Sequence, residues 1–85
     1  MRTVEIYTTP SCGFCSAAKR LLTKKGAEFT EVNVAGRPDL RDEMMTRAGG
    51  RRTVPQIFID GKHIGDCEDL FDLDYADKLD GMLAA

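Results

Sequence analysis

Two cysteines separated by two residues, Cys12 and Cys15, are the part of this sequence best suited to chemistry. A thiol attacks only as its thiolate, and a free cysteine with a pKa of roughly 8.5 offers little of that form at neutral pH. Cys12 falls where a helical pattern begins, and the unpaired N–H groups and dipole of a helix start stabilise an anion. Cys12 is therefore expected to be the activated, exposed thiol. Cys15, one turn inward, is expected to face the core. With one helical turn between them, Cys12 can form a mixed disulfide and Cys15 can then displace the partner, closing an internal disulfide.

The other readings of these residues are weaker. Two inert small side chains would not need a CxxC at a strand-to-helix junction. A zinc site needs four ligands, and only Cys67 and His63 remain to complete one, at unconvincing spacing. His63 reads as a solvated hairpin residue, and Met44 and Met45 as core fillers. The third cysteine, Cys67, leaves an odd total, which suits redox chemistry rather than a disulfide scaffold.

The elements that must position these thiols follow from periodicity and punctuation. Thr3 to Tyr7 alternates as a strand with Val4 and Ile6 on one face, and Pro10 stops it. Phe14, Ala17, Ala18, Leu21 and Leu22 recur at helical spacing up to Gly26. Phe29 to Val34 is a second strand. Pro38 opens a second helix with Leu40, Met44 and Ala48 inward, and Gly49-Gly50 ends it. Gln56 to Ile59 is a third strand, Asp60-Gly61 a hairpin turn, and Lys62 to Ile64 a short fourth strand. After Gly65-Asp66, apolar residues from Cys67 through Leu70, Phe71, Leu73, Leu79 and Leu83 suggest one or two closing helices. The order β-α-β-α-β-β-α predicts an α/β fold: a mixed four-stranded sheet with helices on both faces and a parallel first crossover.

The chain of 85 residues is long enough for one domain, 1–85, and one core. Its formal charge of -2, with dispersed basic residues, argues against nucleic acid. No apolar run approaches membrane-spanning length and no leader pattern is visible, so a cytoplasmic protein away from membranes is expected.

Taken together, Glu5-Ile6-Tyr7-Thr8, Cys12-Gly13-Phe14-Cys15, Thr53-Val54-Pro55-Gln56-Ile57-Phe58-Ile59 and Gly65-Asp66-Cys67-Glu68-Asp69-Leu70 resemble the glutaredoxin family, in its small, dithiol, bacterial form. The resemblance implies a thioredoxin-like fold, with glutathione as co-substrate and disulfide-bonded or glutathionylated proteins as partners. It also implies a cis bond before Pro55. Phe14, Thr53, Val54 and Pro55 would line the glutathione site, and the backbone of Val54 would pair with the cysteine portion. The turn at Gly65 to Asp69 would hold the γ-glutamyl end, its carboxylate on the Cys67 N–H and its ammonium on Glu68 or Asp69. The Cys67 side chain would be a spectator.

Three departures from the family pattern stand out. Gly13-Phe14 replaces Pro-Tyr in the motif. Thr9 stands where many relatives carry a lysine for the glycine carboxylate, leaving Arg37 or Arg51 as candidates for that charge. Asp66 replaces a turn glycine, so that a negative charge either opposes the anionic ligand or faces water. Two alternatives to a glutathione-dependent oxidoreductase follow. One is a dimer bridging a [2Fe–2S] cluster through Cys12 and glutathione, suggested by the similarity to a Cys-Gly-Phe-Ser signature. The other is a thioredoxin-like electron donor. Without a cluster, a monomer is expected.

Overall fold

The computed structural model describes residues 2–84. Its sheet has the order β2-β1-β3-β4, with β1 at Val4–Thr8, β2 at Phe29–Asn33, β3 at Gln56–Ile59 and β4 at Lys62–Gly65. β1 runs parallel to β2 and antiparallel to β3, which is antiparallel to β4. The helices are α1 at Gly13–Lys24, α2 at Pro38–Arg47, α3 at Cys67–Tyr75 and α4 at Leu79–Leu83. The closing segment is thus two helices, broken at Asp77, which takes a left-handed φ of 58°.

Alternation along the central strands divides the core in two. Val4, Ile6, Ile57 and Ile59 face α1, α3 and α4, meeting Ala18, Leu22, Leu70, Leu79 and Leu83. Tyr7 and Phe58 point the other way, onto Met44 and Ala48 at α2. Helices therefore cover both faces of the sheet, and β1, paired on both edges, is buried along most of its length. Burial on both faces leaves room for polar side chains only where they are paired, and Glu5 and Thr8 of β1 both are.

The face under α2 also carries charge. Arg47 reaches back from α2 to grip Glu5 of β1 through both guanidinium nitrogens, at 3.0 and 2.9 Å, and donates to the Tyr7 hydroxyl at 2.8 Å. Its guanidinium lies 4.1 Å from the centroid of Phe58, a cation–π contact that lets a charge sit on the apolar layer. On the other edge, Glu31 of β2 accepts from the Thr8 hydroxyl at 2.6 Å and from Lys19 of α1 at 2.9 Å. Both ends of β1 are thereby tied to neighbouring elements just before the chain enters the CxxC.

His63 departs from the sequence expectation. It is half-buried on β4, with its ring 5.2 Å from that of Phe58 and its Nε2 2.7 Å from Gln56 Oε1. The Gln56 amide nitrogen donates to the Thr53 carbonyl at 3.0 Å, so its oxygen takes the His63 Nε2–H. A hairpin residue close in sequence to water is held inward because its neighbour across the β3–β4 pair is Phe58.

Acid is expected to destabilise the protein in two stages. Burial, and then the charge of Arg51, hold His63 below its ordinary value of 6.5. The unfolded chain binds that proton more readily, so stability falls once pH drops below about 6.5. Hydrogen bonds from Arg47 hold Glu5 below the ordinary 4.5, and those from Thr8 and Lys19 do the same for Glu31. A depressed carboxylate contributes stability above its unfolded value and loses it as pH falls through the folded one, so a steeper decline begins below about 4.5. Urea midpoints measured from pH 7 to 3 should show both stages, and His63→Asn should remove only the first.

Candidate active site

The junction from β1 to α1 turns on Cys12. This residue is the N-cap of α1, with extended backbone angles, and its sulfur accepts the N–H of Cys15 at 3.0 Å. A helix start leaves its first N–H groups without intrahelical partners. Here one of them is satisfied by a sulfur where serine or aspartate usually serves. Cys12 is partly exposed, and its Sγ lies 3.7 Å from the Val54 carbonyl, which can take the proton of the neutral thiol.

Cys15 has the opposite environment. It is buried at 1% exposure. Burial, followed by the neighbouring Cys12 sulfur, pushes its thiol up to about 12. A backbone N–H from Thr9 and the charge of Lys19 act against that rise. Both cysteines are free thiols, as is the buried Cys67, which is also raised by burial and by the charge of Asp66.

Beside Cys12 lies a cleft of about 480 Å³ lined by Phe14, Thr53, Val54, Pro55, Asp66, Cys67, Glu68 and Phe71. Three widely separated segments meet there. α1 supplies Phe14, exposed because the helix buries Cys15, Ala18 and Leu22 on its other side. The loop before β3 supplies Thr53 to Pro55, with the Val54–Pro55 bond cis. That loop is held by Arg41 of α2, which donates to the Arg52 carbonyl at 2.8 Å, and by the Gln56 side chain on Thr53. The start of α3 supplies the rest.

Of the residues expected from sequence to bind the ligand (Phe14, Thr53, Val54, Pro55, Cys67, Glu68 and Asp69), Asp69 is the one not in the cleft lining. Asp66 is the N-cap of α3 and accepts the Asp69 N–H at 3.0 Å, while the Asp69 carboxylate accepts the Asp66 N–H at 3.0 Å. This reciprocal capping box satisfies two N–H groups at once. Arg51 clamps it from the loop, at 2.8 Å from Asp66 and 2.9 Å from Asp69. Asp66 therefore neither opposes a ligand as a bare charge nor simply faces water. Arg37 pairs with Asp39, at 2.9 Å, and neither it nor Arg51 is among the residues lining the cleft.

Sequence reasoning missed Phe71 as a cleft residue, reading it only as one of the apolar residues that suggest the closing helices. It lies three residues after Glu68, so it shares that residue's side of α3, and that spacing was the available signal.

A family model described as Glutaredoxin matches residues 4–64. Glutaredoxin 3 of Escherichia coli (strain K12) is 51% identical over 83 residues, covering 98% of this chain and 99% of that protein. The chain belongs to the glutaredoxin family. It has the thioredoxin-like fold and is a thiol–disulfide oxidoreductase. The solution structure of a glutaredoxin from Brucella melitensis superimposes with a TM-score of 0.85 at 51% identity, covering 98% of this chain and 89% of that one. A crystal structure of a buckwheat glutaredoxin–glutathione complex gives 0.87 at 30% identity, covering 96% and 76%.

Two outcomes are expected from this geometry. Iodoacetamide at pH 7 should modify Cys12 first, with Cys15 and Cys67 spared in the folded protein, as read by peptide mass spectrometry. Asp66→Ala should cost about 1 kcal/mol of stability in urea, the typical loss of an N-cap. Asp66→Asn should cost less, because asparagine caps equally well and forfeits only the ion pair with Arg51.

Proposed function

We propose that this glutaredoxin uses glutathione as its electron donor, reducing protein disulfides and removing glutathione from mixed disulfides, with Cys12 as nucleophile and Cys15 as resolving thiol. The observation that carries the reading is the position of Cys12: its sulfur takes a helix N–H, and it stands at the mouth of a cleft large enough for a tripeptide.

In the monothiol cycle, the Cys12 thiolate attacks the glutathione sulfur of a mixed disulfide. A Cys12–glutathione disulfide forms, and the protein leaves as its thiolate, which takes a proton. A second glutathione thiolate attacks the glutathione sulfur, so that glutathione disulfide departs and Cys12 is regenerated. In the dithiol cycle, Cys12 attacks a protein disulfide and Cys15 then attacks the Cys12 sulfur. The substrate leaves with both sulfurs reduced and a Cys12–Cys15 disulfide remains, which two glutathione molecules reduce.

The high value of Cys15 fits the order of these steps. Part of it comes from the Cys12 sulfur beside it. Once Cys12 is tied up in a disulfide it carries no charge, and that opposition is lifted. Burial still opposes the Cys15 thiolate, but the N–H of Thr9 and the charge of Lys19 continue to favour it. The resolving thiol is thus held back until there is something to resolve.

Glutathione would lie along the cleft, with its cysteine portion against Val54 and its aliphatic parts on Phe14, Pro55 and Phe71. Its γ-glutamyl carboxylate would meet the N–H of Cys67 at the start of α3. Glu68 is the acid left in the lining to receive the ammonium, since Asp69 is engaged by Arg51. A reducing compartment that contains glutathione is where such a cycle runs.

The alternative of a bridged [2Fe–2S] cluster draws on the same sulfur. Among the described residues no group of three or more His, Cys, Asp or Glu side chains could hold a metal, so a cluster would take its other ligands from glutathione and a second copy.

A glutathione turnover assay coupled to glutathione reductase tests the proposal. Cys12→Ser should lose activity on every substrate. Cys15→Ser should keep turnover on a glutathionylated peptide and lose it on a protein disulfide. Full activity in Cys12→Ser sinks the assignment, and activity restricted to thioredoxin reductase sinks the role of glutathione. A brown, iron-containing protein from anaerobic purification would favour the cluster.

A further inference from the structure

The α3 helix presents a face that none of the described residues covers. Glu68, Phe71, Asp72 and Tyr75 follow one another at the spacing of neighbours on one side of a helix, and all four are exposed. Tyr75 is 94% exposed and Phe71 42%. The opposite side of α3, at Cys67 and Leu70, is fully used by the core, so the outward placement of these rings follows from the phase of the helix.

This face is continuous with the active-site cleft. Glu68 and Phe71 belong to the cleft lining, across from Phe14, itself 72% exposed. From the cleft the stripe runs outward along α3 to Tyr75. A polypeptide whose sulfur is at Cys12 can therefore run from the cleft onto it.

The charge of the face is one-sided. Residues 66–80 hold seven of the chain's fourteen carboxylates and a single base, Lys78. Arg51 neutralises Asp66 and Asp69, and Lys25 reaches Asp74 at 2.6 Å and Asp80 at 3.0 Å. Glu68 and Asp72, on the exposed face itself, have no cation within 4.0 Å among the described residues. Two uncompensated carboxylates alternate with two aromatic rings.

From this juxtaposition we infer that α3 is a docking rail for disulfide substrates that carry lysine or arginine next to the reacting cysteine. The ammonium or guanidinium pairs with Glu68 and Asp72. The aliphatic stem lies on Phe71 and Tyr75, whose ring faces also attract a cation. An acidic segment would meet like charge there, and a short uncharged disulfide would not reach the rail. This deepens the proposed function and rests on Cys12 being the point of attack.

Two disulfide-cyclised peptides of equal length, differing only in lysine or glutamate beside the cysteines, provide the test. At low salt the lysine peptide should show a kcat/KM about fivefold higher, the scale of one or two exposed ion pairs. The preference should shrink toward unity in molar salt, where screening reaches about 3 Å. Asp72→Lys should narrow or invert the ratio, while turnover of bis(hydroxyethyl) disulfide stays unchanged; Tyr75→Ala should lower kcat/KM for the lysine peptide alone. Equal rates for the two peptides, or a ratio unmoved by Asp72→Lys, would overturn the inference while leaving the proposed function intact.

Binding separates the two ideas further. The reduced, S-methylated lysine peptide should shift the amide resonances of Phe71, Asp72 and Tyr75, and its glutamate twin should not. Absence of those shifts overturns the rail whatever the enzyme turns over. Dimerisation abolished by Tyr75→Ala would instead assign the face to a second copy of the chain and also overturn it.

Discussion

One hydrogen bond, from the N–H of Cys15 to the sulfur of Cys12, organises the chemistry of this molecule. It exists because α1 starts at that residue and nowhere else. β1 delivers the chain to the start, and β1 is fixed by pairing on both edges, by the grip of Arg47 on Glu5 and by the grip of Glu31 on Thr8. α1 in turn is fixed by Ala18, Leu21 and Leu22 in the core. A displacement of either element by one residue would place a different side chain at the cap. The reactive sulfur is thus held by the packing of the whole sheet, although only one N–H touches it at the helix start.

The same helix end produces two unlike thiols. Three residues apart, Cys12 and Cys15 share a backbone and a dipole, yet one is partly exposed and accepts an N–H while the other is buried and raised to about 12. Burial decides the difference, since desolvation is the largest influence on Cys15 and the favourable N–H of Thr9 does not offset it. An order of attack is built into the resting protein in this way, without any moving part.

Much of this was legible in the sequence, because the signals were local. Proline and glycine marked the ends of elements, two periodicities separated strands from helices, and the CxxC fell where one period gave way to the other. What stayed hidden depended on contacts across the fold. His63 reads as a hairpin residue until Phe58 and Gln56 are seen beside it. Asp66 and Asp69 read as loose charges near a ligand, although an acid three residues from another acid at a helix start is a capping pattern that could have been recognised. Their clamp by Arg51 spans a loop and a strand pair, and no spacing rule reaches that far. Phe71 was missed for a different reason: a run of apolar residues says that a helix closes the core, but not which of them face it.

The cap on α3 settles that last question. Gly65 has a φ of 130°, and a Cβ there would collide with the Asp69 side chain, so the turn admits Asp69 only because residue 65 has no side chain. Asp69 in that position receives the Asp66 N–H, and Asp66 receives that of Asp69, which fixes where the first turn of α3 begins. Once the start is fixed, the rotation of every later residue follows at 3.6 per turn. Cys67 and Leu70 go inward, and Glu68 and Phe71 are left to form the outer wall of the cleft. Asp66 is therefore more than an added charge beside a binding site. By sealing the capping box it sets the helical phase that decides which side chains the site contains.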